Sequence, residues 1–163
     1  FMYNPKTEDG RITGSSASLL GLEKGLEEND AIDIQQSISK IILLHGVILA
    51  FGGIPMLYAG DEIGTLNDYS FLEKADKKSD SRWVNRPHQD WETIKKLSKK
   101  KIPQSKIFQT LKRLVQIRKT SPIFADSNNL VLHHTGNHHI FAFERTESLK
   151  NGVFVLCNFA EAL

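Results

Sequence analysis

The stretch FGGIPMLYAGDEIGTLND, residues 51–68, decides how the chain is read. Ile54 to Ala59 is a continuous apolar run without alternation, the pattern of a parallel strand covered on both faces. Gly52-Gly53 separates it from a long apolar helix upstream, and it ends in Asp61 and Glu62 between Gly60 and Gly64. Helix, glycine turn and buried strand in that order predict an α/β protein. In parallel α/β architectures ligands bind where strand C-terminal ends meet the following loops. Two carboxylates at such a tip suit sugar hydroxyls or acid–base work. The plainer role, favoured for Glu62, is to accept neighbouring backbone amides and pin the loop.

The flanking sequence supports that frame. Ser16 to Glu27 carries Leu19, Leu20, Leu22 and Leu26 at helical spacing. Asp30 or Asp33 can cap the next helix, whose apolar positions include Ile34, Ile38, Ile41 and Ile42 and run on from His45. Its second half is apolar on all sides, which predicts a deeply buried end. Residues 41–60 are long enough to suggest a membrane span, but His45, the glycines and Pro55 interrupt them. A core helix followed by a strand fits better.

Asn67 to Pro103 is a long polar loop, with a charged helical piece near Trp91 to Lys100. Ser105 can cap a further helix bearing Ile107, Phe108, Leu111, Leu114, Val115 and Ile117. It closes on Arg118-Lys119, favourable at the negative end of the helix dipole, ahead of Pro122. Leu130–Thr135, His139–Thr146 and Val153–Phe159 then read as an antiparallel meander. A boundary falls at Ser121 to Asn129, giving parts 1–122 and 123–163. The chain opens on Phe1 without an initiator methionine, so it reads as a piece of a longer protein.

Composition narrows the partners. Twenty-one basic residues against 19 acidic ones leave a net charge of +2, which gives no electrostatic reason to expect nucleic acid or an anionic membrane. The basic run Lys95 to Lys101 reads as a solvated helix end. Cys157 lies among apolar residues and reads as a buried inert thiol; a single cysteine is compatible with a reducing compartment, and the cytoplasm is favoured. His133, His134, His138 and His139 crowd one hairpin with no carboxylate or thiol between them, so no metal is expected there. There is no phosphate-cradling glycine loop, no nucleophile elbow and no helical His-Glu-x-x-His pair. Trp83 and Trp91 could stack on a sugar ring or anchor the loop.

Taken with KSDSRWVNRP, residues 78–87, the opening stretch resembles the eighth strand and following loop of an α-amylase-family (β/α)8 barrel, most closely the amylosucrase branch of sucrose-using enzymes. YNPKTEDGRITGSSASLLGLEKGLE, residues 3–27, resembles the segment that leads from the domain inserted after strand seven into helix seven. The resemblance implies an α/β fold, the C-terminal part of a TIM barrel (helix 7, strand 8 and helix 8), followed by the first strands of a C-terminal β-sandwich. It implies a retaining enzyme that transfers glucose from sucrose to a glucan or to water through an aspartyl intermediate. The family's catalytic carboxylates would lie before Phe1, so residues 1–163 should be inactive alone. By the same resemblance Arg82 would pair with an acidic residue at the floor of the glucosyl pocket, and Asn4 and Arg11 would contact the leaving fructosyl unit or acceptor; the plainer roles are a loop-anchoring ion pair for Arg82 and a turn residue before Pro5 for Asn4. Met2 stands where amylosucrases can carry a glutamine, which weakens the expectation of polymerisation relative to hydrolysis. The partner implied is a carbohydrate, sucrose or an α-glucan, with no cofactor; calcium has no visible ligand cluster. A trehalose- or maltose-converting relative and a non-catalytic α-amylase-like scaffold are the alternatives.

Overall fold

The computed structural model describes residues 2–4, 6–97, 102–148 and 151–160, with only the backbone of residues 2–4, 9 and 11. The chain forms two compact units. One comprises Phe1–Ile41 and Tyr58–Phe108, the other Ile42–Leu57 and Gln109–Leu163.

The first unit opens with a hairpin of β1 (Met2–Asn4) and β2 (Asp9–Arg11), in antiparallel register with Met2 opposite Arg11 and Asn4 opposite Asp9. The helix expected over Ser16 to Glu27 is two pieces, α1 (Ser16–Leu19) and α2 (Leu22–Glu27). Gly21 breaks it: its φ of 97° lies in the left-handed region, where a helix cannot continue.

α2 ends in a Schellman motif. Asn29 adopts a φ of 52°, its amide donates to the Leu26 carbonyl, and the Asp30 amide donates to Gly25. The Asp30 carboxylate then accepts from the amides of Ile32 and Asp33 and starts α3 (Ala31–Phe51). One residue thus closes one helix and opens the next. A Cβ on Gly25 would stand 2.9 Å from the Ile34 amide nitrogen, so only glycine admits this approach. The core of the unit gathers Ala17, Leu22, Ile38, Ile41, Ile63, Phe71, Val84, Leu97 and Ile107.

The second unit is built around a three-stranded antiparallel meander, β3 (Leu130–His133), β4 (Ile140–Ser148) and β5 (Asn151–Asn158), in the order β3-β4-β5. Phe143 and Ala142 are buried on β4, and Cys157 on β5 sits opposite Phe141. Burial pushes the Cys157 thiol up from its usual pKa, as suits an inert thiol. Phe51, at the end of α3, packs edge-on against Phe143 with ring centroids 5.4 Å apart. His133 on β3 lies 3.3 Å from the Glu144 carboxylate across the ladder.

Two expectations need correction, and a third finds no support among the described residues. The last long helix, α5, runs Pro103–Thr120, so Ser105 lies inside its first turn; Pro103 opens it, proline needing no amide there. The C-terminal half of α3 is not deeply buried, since Leu44, Ile48 and Phe51 are each more than a third exposed. By length and composition alone α3 could cross a membrane. Finally, Ile54 to Ala59 forms no strand ladder with any described residue. Ile54 is 92% exposed and Met56 83%. A strand exists only through its neighbours, and none of the described strands pairs with this run.

Candidate functional site

The loops after Tyr58 hold Asp61, Glu62 and Arg82, three of the residues singled out from the sequence. Gly60 has a φ of 105° and Gly64 of 60°, and between them Asp61–Ile63 makes one 3-10 turn. Both positions demand glycine for a second reason. A Cβ at Gly60 would meet the Thr65 hydroxyl at 2.7 Å, and one at Gly64 would meet Ile107 Cδ1 at 2.6 Å. The Gly60 amide donates to Glu62 Oε2 at 2.8 Å, the Thr65 amide to the Gly60 carbonyl, and the Asp61 amide to Tyr58. Glu62 therefore ties the turn to itself, while Ile63 plugs it into the core. This is why two carboxylates follow an apolar run: one clamps a turn that two glycines make possible.

Asn67 comes next, with a role that no local pattern announces. Its side-chain oxygen accepts the Ser15 amide at 2.8 Å, and its amide group donates to Glu23 Oε2 and the Tyr69 hydroxyl. Its backbone amide donates to the Ser18 hydroxyl. The loop is thereby fastened to α1 and α2 beside a cavity of about 520 Å³ lined by Ile12, Leu19, Glu23, Tyr69 and Leu72. No short-range pattern could announce contacts between residues so far apart in sequence.

Beyond it, aspartates start each short helical turn. Asp68 accepts the Ser70 amide, Asp80 that of Arg82, and Asp90 those of Glu92 and Thr93 at the head of α4 (Trp91–Lys96). The Ser70 hydroxyl and amide hold the Asp68 carboxyl below its usual range. The Thr93 hydroxyl and amide do the same for Asp90. The Asp68 amide donates to the Val84 carbonyl at 2.8 Å, which joins the two loop segments.

Arg82 lies in the turn Ser81–Asn85 with its side chain 64% exposed. Its Nε donates to Asp80 Oδ1 and its Nη2 to Asp80 Oδ2, both at 2.8 Å. This bidentate pair pulls the Asp80 carboxyl down to about 2 and raises the guanidinium. The acidic partner of Arg82 among the described residues is thus its own neighbour two positions back.

Trp83 is anchored by cations, with Lys77 Nζ 3.9 Å above its ring and Arg86 on it at 5.8 Å. Trp91 stays exposed. A small cavity of about 170 Å³ lies between Tyr58, Thr65, Arg86, His88 and Gln89. Gln89 Oε1 is buried without a hydrogen-bond partner among the described residues. The backbones of Asn4 and Arg11 stand in the β1–β2 hairpin, and their side chains lie outside the described part of the structure.

Comparison with known proteins finds a distant similarity. The chain is 26% identical over 99 residues to glucosylglycerate phosphorylase of Escherichia coli (strain K12), a match covering 60% of the chain. That match corresponds to 17% of the relative, so the chain spans a small part of its length. No protein-family model matches. The chain is therefore related to a piece of an enzyme named for a glucosylated compound.

Proposed function

We propose that residues 1–163 are the C-terminal part of the (β/α)8 barrel and the first strands of the following β-sandwich in a glucosyl-transferring enzyme of the α-amylase family. Ile54–Ala59 is then an inner barrel strand whose ladder partners come from outside this chain. That accounts for an apolar run left bare at Ile54 and Met56. The loops from Gly60 to Gln89 form part of the rim of a sugar site, with Arg82 directed at the glucosyl unit. The catalytic carboxylates come from elsewhere in the protein, and this chain contributes positioning residues.

The observation that carries the proposal is the similarity to glucosylglycerate phosphorylase. It agrees in class with the resemblance of GDEIGTLND and DSRWVNRP to sucrose-acting barrels. Both point to a glucosyl group moved from a small donor. They part at the acceptor. Sucrose with water or a glucan as acceptor follows from the resemblance, whereas the phosphorylase favours a second version with inorganic phosphate as acceptor.

The test uses the protein at its natural length, supplied with sucrose, glucosylglycerate, maltose or trehalose, with and without inorganic phosphate. Release of glucose, a glucan or a glucose phosphate from at least one donor is expected. Turnover of sucrose without phosphate supports the first version, and strict dependence on phosphate the second. A well-folded protein that processes none of the four would overturn the proposal. Residues 1–163 alone should process none of them.

A further inference from the structure

We propose that Asn151 is a site of spontaneous backbone modification: the Gly152 amide nitrogen attacks the Asn151 side chain, ammonia leaves, and aspartate or isoaspartate remains at the head of β5. Nothing in this depends on glucosyl transfer. Asn151-Gly152 is the only Asn-Gly step in the sequence, and both residues are exposed. The Gly152 nitrogen gives its proton to hydroxide and forms a bond to the Asn151 side-chain carbonyl carbon. The bond from that carbon to Nδ2 breaks, and ammonia departs from a cyclic succinimide. Water then adds to either ring carbonyl. One opening gives aspartate; the other gives isoaspartate, in which the main chain runs through the side-chain carbon. Water is consumed, ammonia is released and nothing is oxidised or reduced.

The ladder leaves this nitrogen free. In an antiparallel pair, hydrogen-bonded and non-bonded positions alternate. The Phe159 amide donates to the His139 carbonyl, and the register runs unbroken from there back to Gly152 opposite Thr146. Gly152, an odd number of residues away, therefore stands at a non-bonded position, its N–H turned to the edge of β5 that faces away from β4. Thr146 fixes the phase, because its own amide turns from β5 and donates to Asn129. β5 has no strand on its outer edge among the described residues. Extended backbone holds an asparagine side chain away from the next nitrogen, so the attack waits on local opening. Asn151 is the first residue of β5. Beside it the register slips: Ser148 pairs with Asn151, and Glu147 is passed over. Opening there breaks the last pair of a hairpin rather than a stretch of ladder.

The bulge gives the modification a consequence. Asn151 Nδ2 donates to Glu147 Oε2 at 2.6 Å. Conversion to the acid replaces that donor by a carboxylate, and two like charges then meet where a hydrogen bond closed the hairpin. The isoaspartyl form also adds a carbon to the main chain, which displaces Gly152 from its place opposite Thr146. Each product loosens the head of β5.

The experiment ages the natural-length protein in mildly alkaline buffer and follows every asparagine peptide by mass spectrometry, with isoaspartate read by enzymatic methylation. The Asn151 peptide should convert several-fold faster than any other, at a rate that rises with pH as the nitrogen loses its proton. N151Q, whose longer side chain does not close the same ring, should show no conversion there. G152A should slow it several-fold; its Cβ would stand 3.0 Å from Glu144 Oε1, the far end of a side chain that can swing aside. An Asn151 that keeps its amide while other asparagines convert, or wild-type conversion in G152A, would overturn the proposal. The consequence has its own arm. N151D, the aspartyl product made directly, should exchange the amides at the start of β5 several-fold faster than the wild type, and N151D/E147Q should recover most of the difference. Equal exchange in the two variants would refute the charge clash at the bulge.

Discussion

Arg82 and Arg145 show what two surroundings make of the same side chain. Arg82 stands exposed on a loop, held by one carboxylate two residues away, and three of its five guanidinium donors meet no partner among the described residues. Arg145 is completely buried on β4. Its donors reach Asn129 Oδ1 at 2.6 Å, the Ala50 carbonyl at 2.8 Å, and the carbonyls of Ile123 and Asp126. Burial is the main force lowering the Arg145 pKa, with the Arg118 charge second and Asp126 opposing. Arg145 closes the end of α3, whose last carbonyls have no partner within the helix. Arg118 assists by donating to Leu49 and Gly53. One arginine is spent on the fold, and the other is left facing outward. Charge alone therefore does not say what an arginine does; its surroundings decide.

The contrast breaks most sharply at Arg145. Replacing it by methionine takes the Arg145 donors from the oxygens of Ala50, Asp126 and Asn129, and the second unit should lose ~3–5 kcal/mol in denaturant titration. A loss under about 1 kcal/mol would mean that the carbonyls find other donors. Next in size is Phe143→Ala, which empties a fully buried site beside Phe51 and should cost ~3–4 kcal/mol. Gly64→Ala probes the loop side. It meets Ile107 at 2.6 Å in a left-handed conformation and should cost about 2 kcal/mol, read from the first unit's melting transition.

Acid should separate the regions further. The carboxyls of Asp68, Asp80 and Asp90 all titrate below their unfolded value of 3.8. Their contributions are complete above that value and fade as the pH falls; for Asp80 the loss runs through about 2. Arg145 is held by carbonyls and an amide, none of which titrates there. Amide spectra taken down to about pH 2 should therefore show Ser70, Arg82 and Thr93 released before the amides of β3–β5. Simultaneous release would contradict the assignment. The smallest effect belongs to R82A, whose melting temperature should match the wild type while sugar turnover falls.

Much of the framework was legible because its signals are local. The Asp30 cap, the glycine stop after Phe51 and the alternating strands of the meander each rest on a few neighbouring residues. The GDEIG turn was legible as a feature, though its glycines are explained only by Thr65 and Ile107. Gly21 was missed because the leucines around it keep helical spacing across the break. The Asn67 knot and the burial of Arg145 depend on partners up to 95 residues away, which no window of sequence contains. Ile54–Ala59 was read as a strand from residue type, which describes the surface it needs but not whether partners are present.

The most direct test of the account is a crystal structure of the natural-length protein with a bound glucosyl ligand. Ile54–Ala59 should be laddered on both sides, with the Arg82 guanidinium within hydrogen-bond distance of the sugar, near the Gly60–Gly64 turn. An unladdered, solvent-facing run, or a sugar bound with Arg82 turned away into solvent, would contradict it.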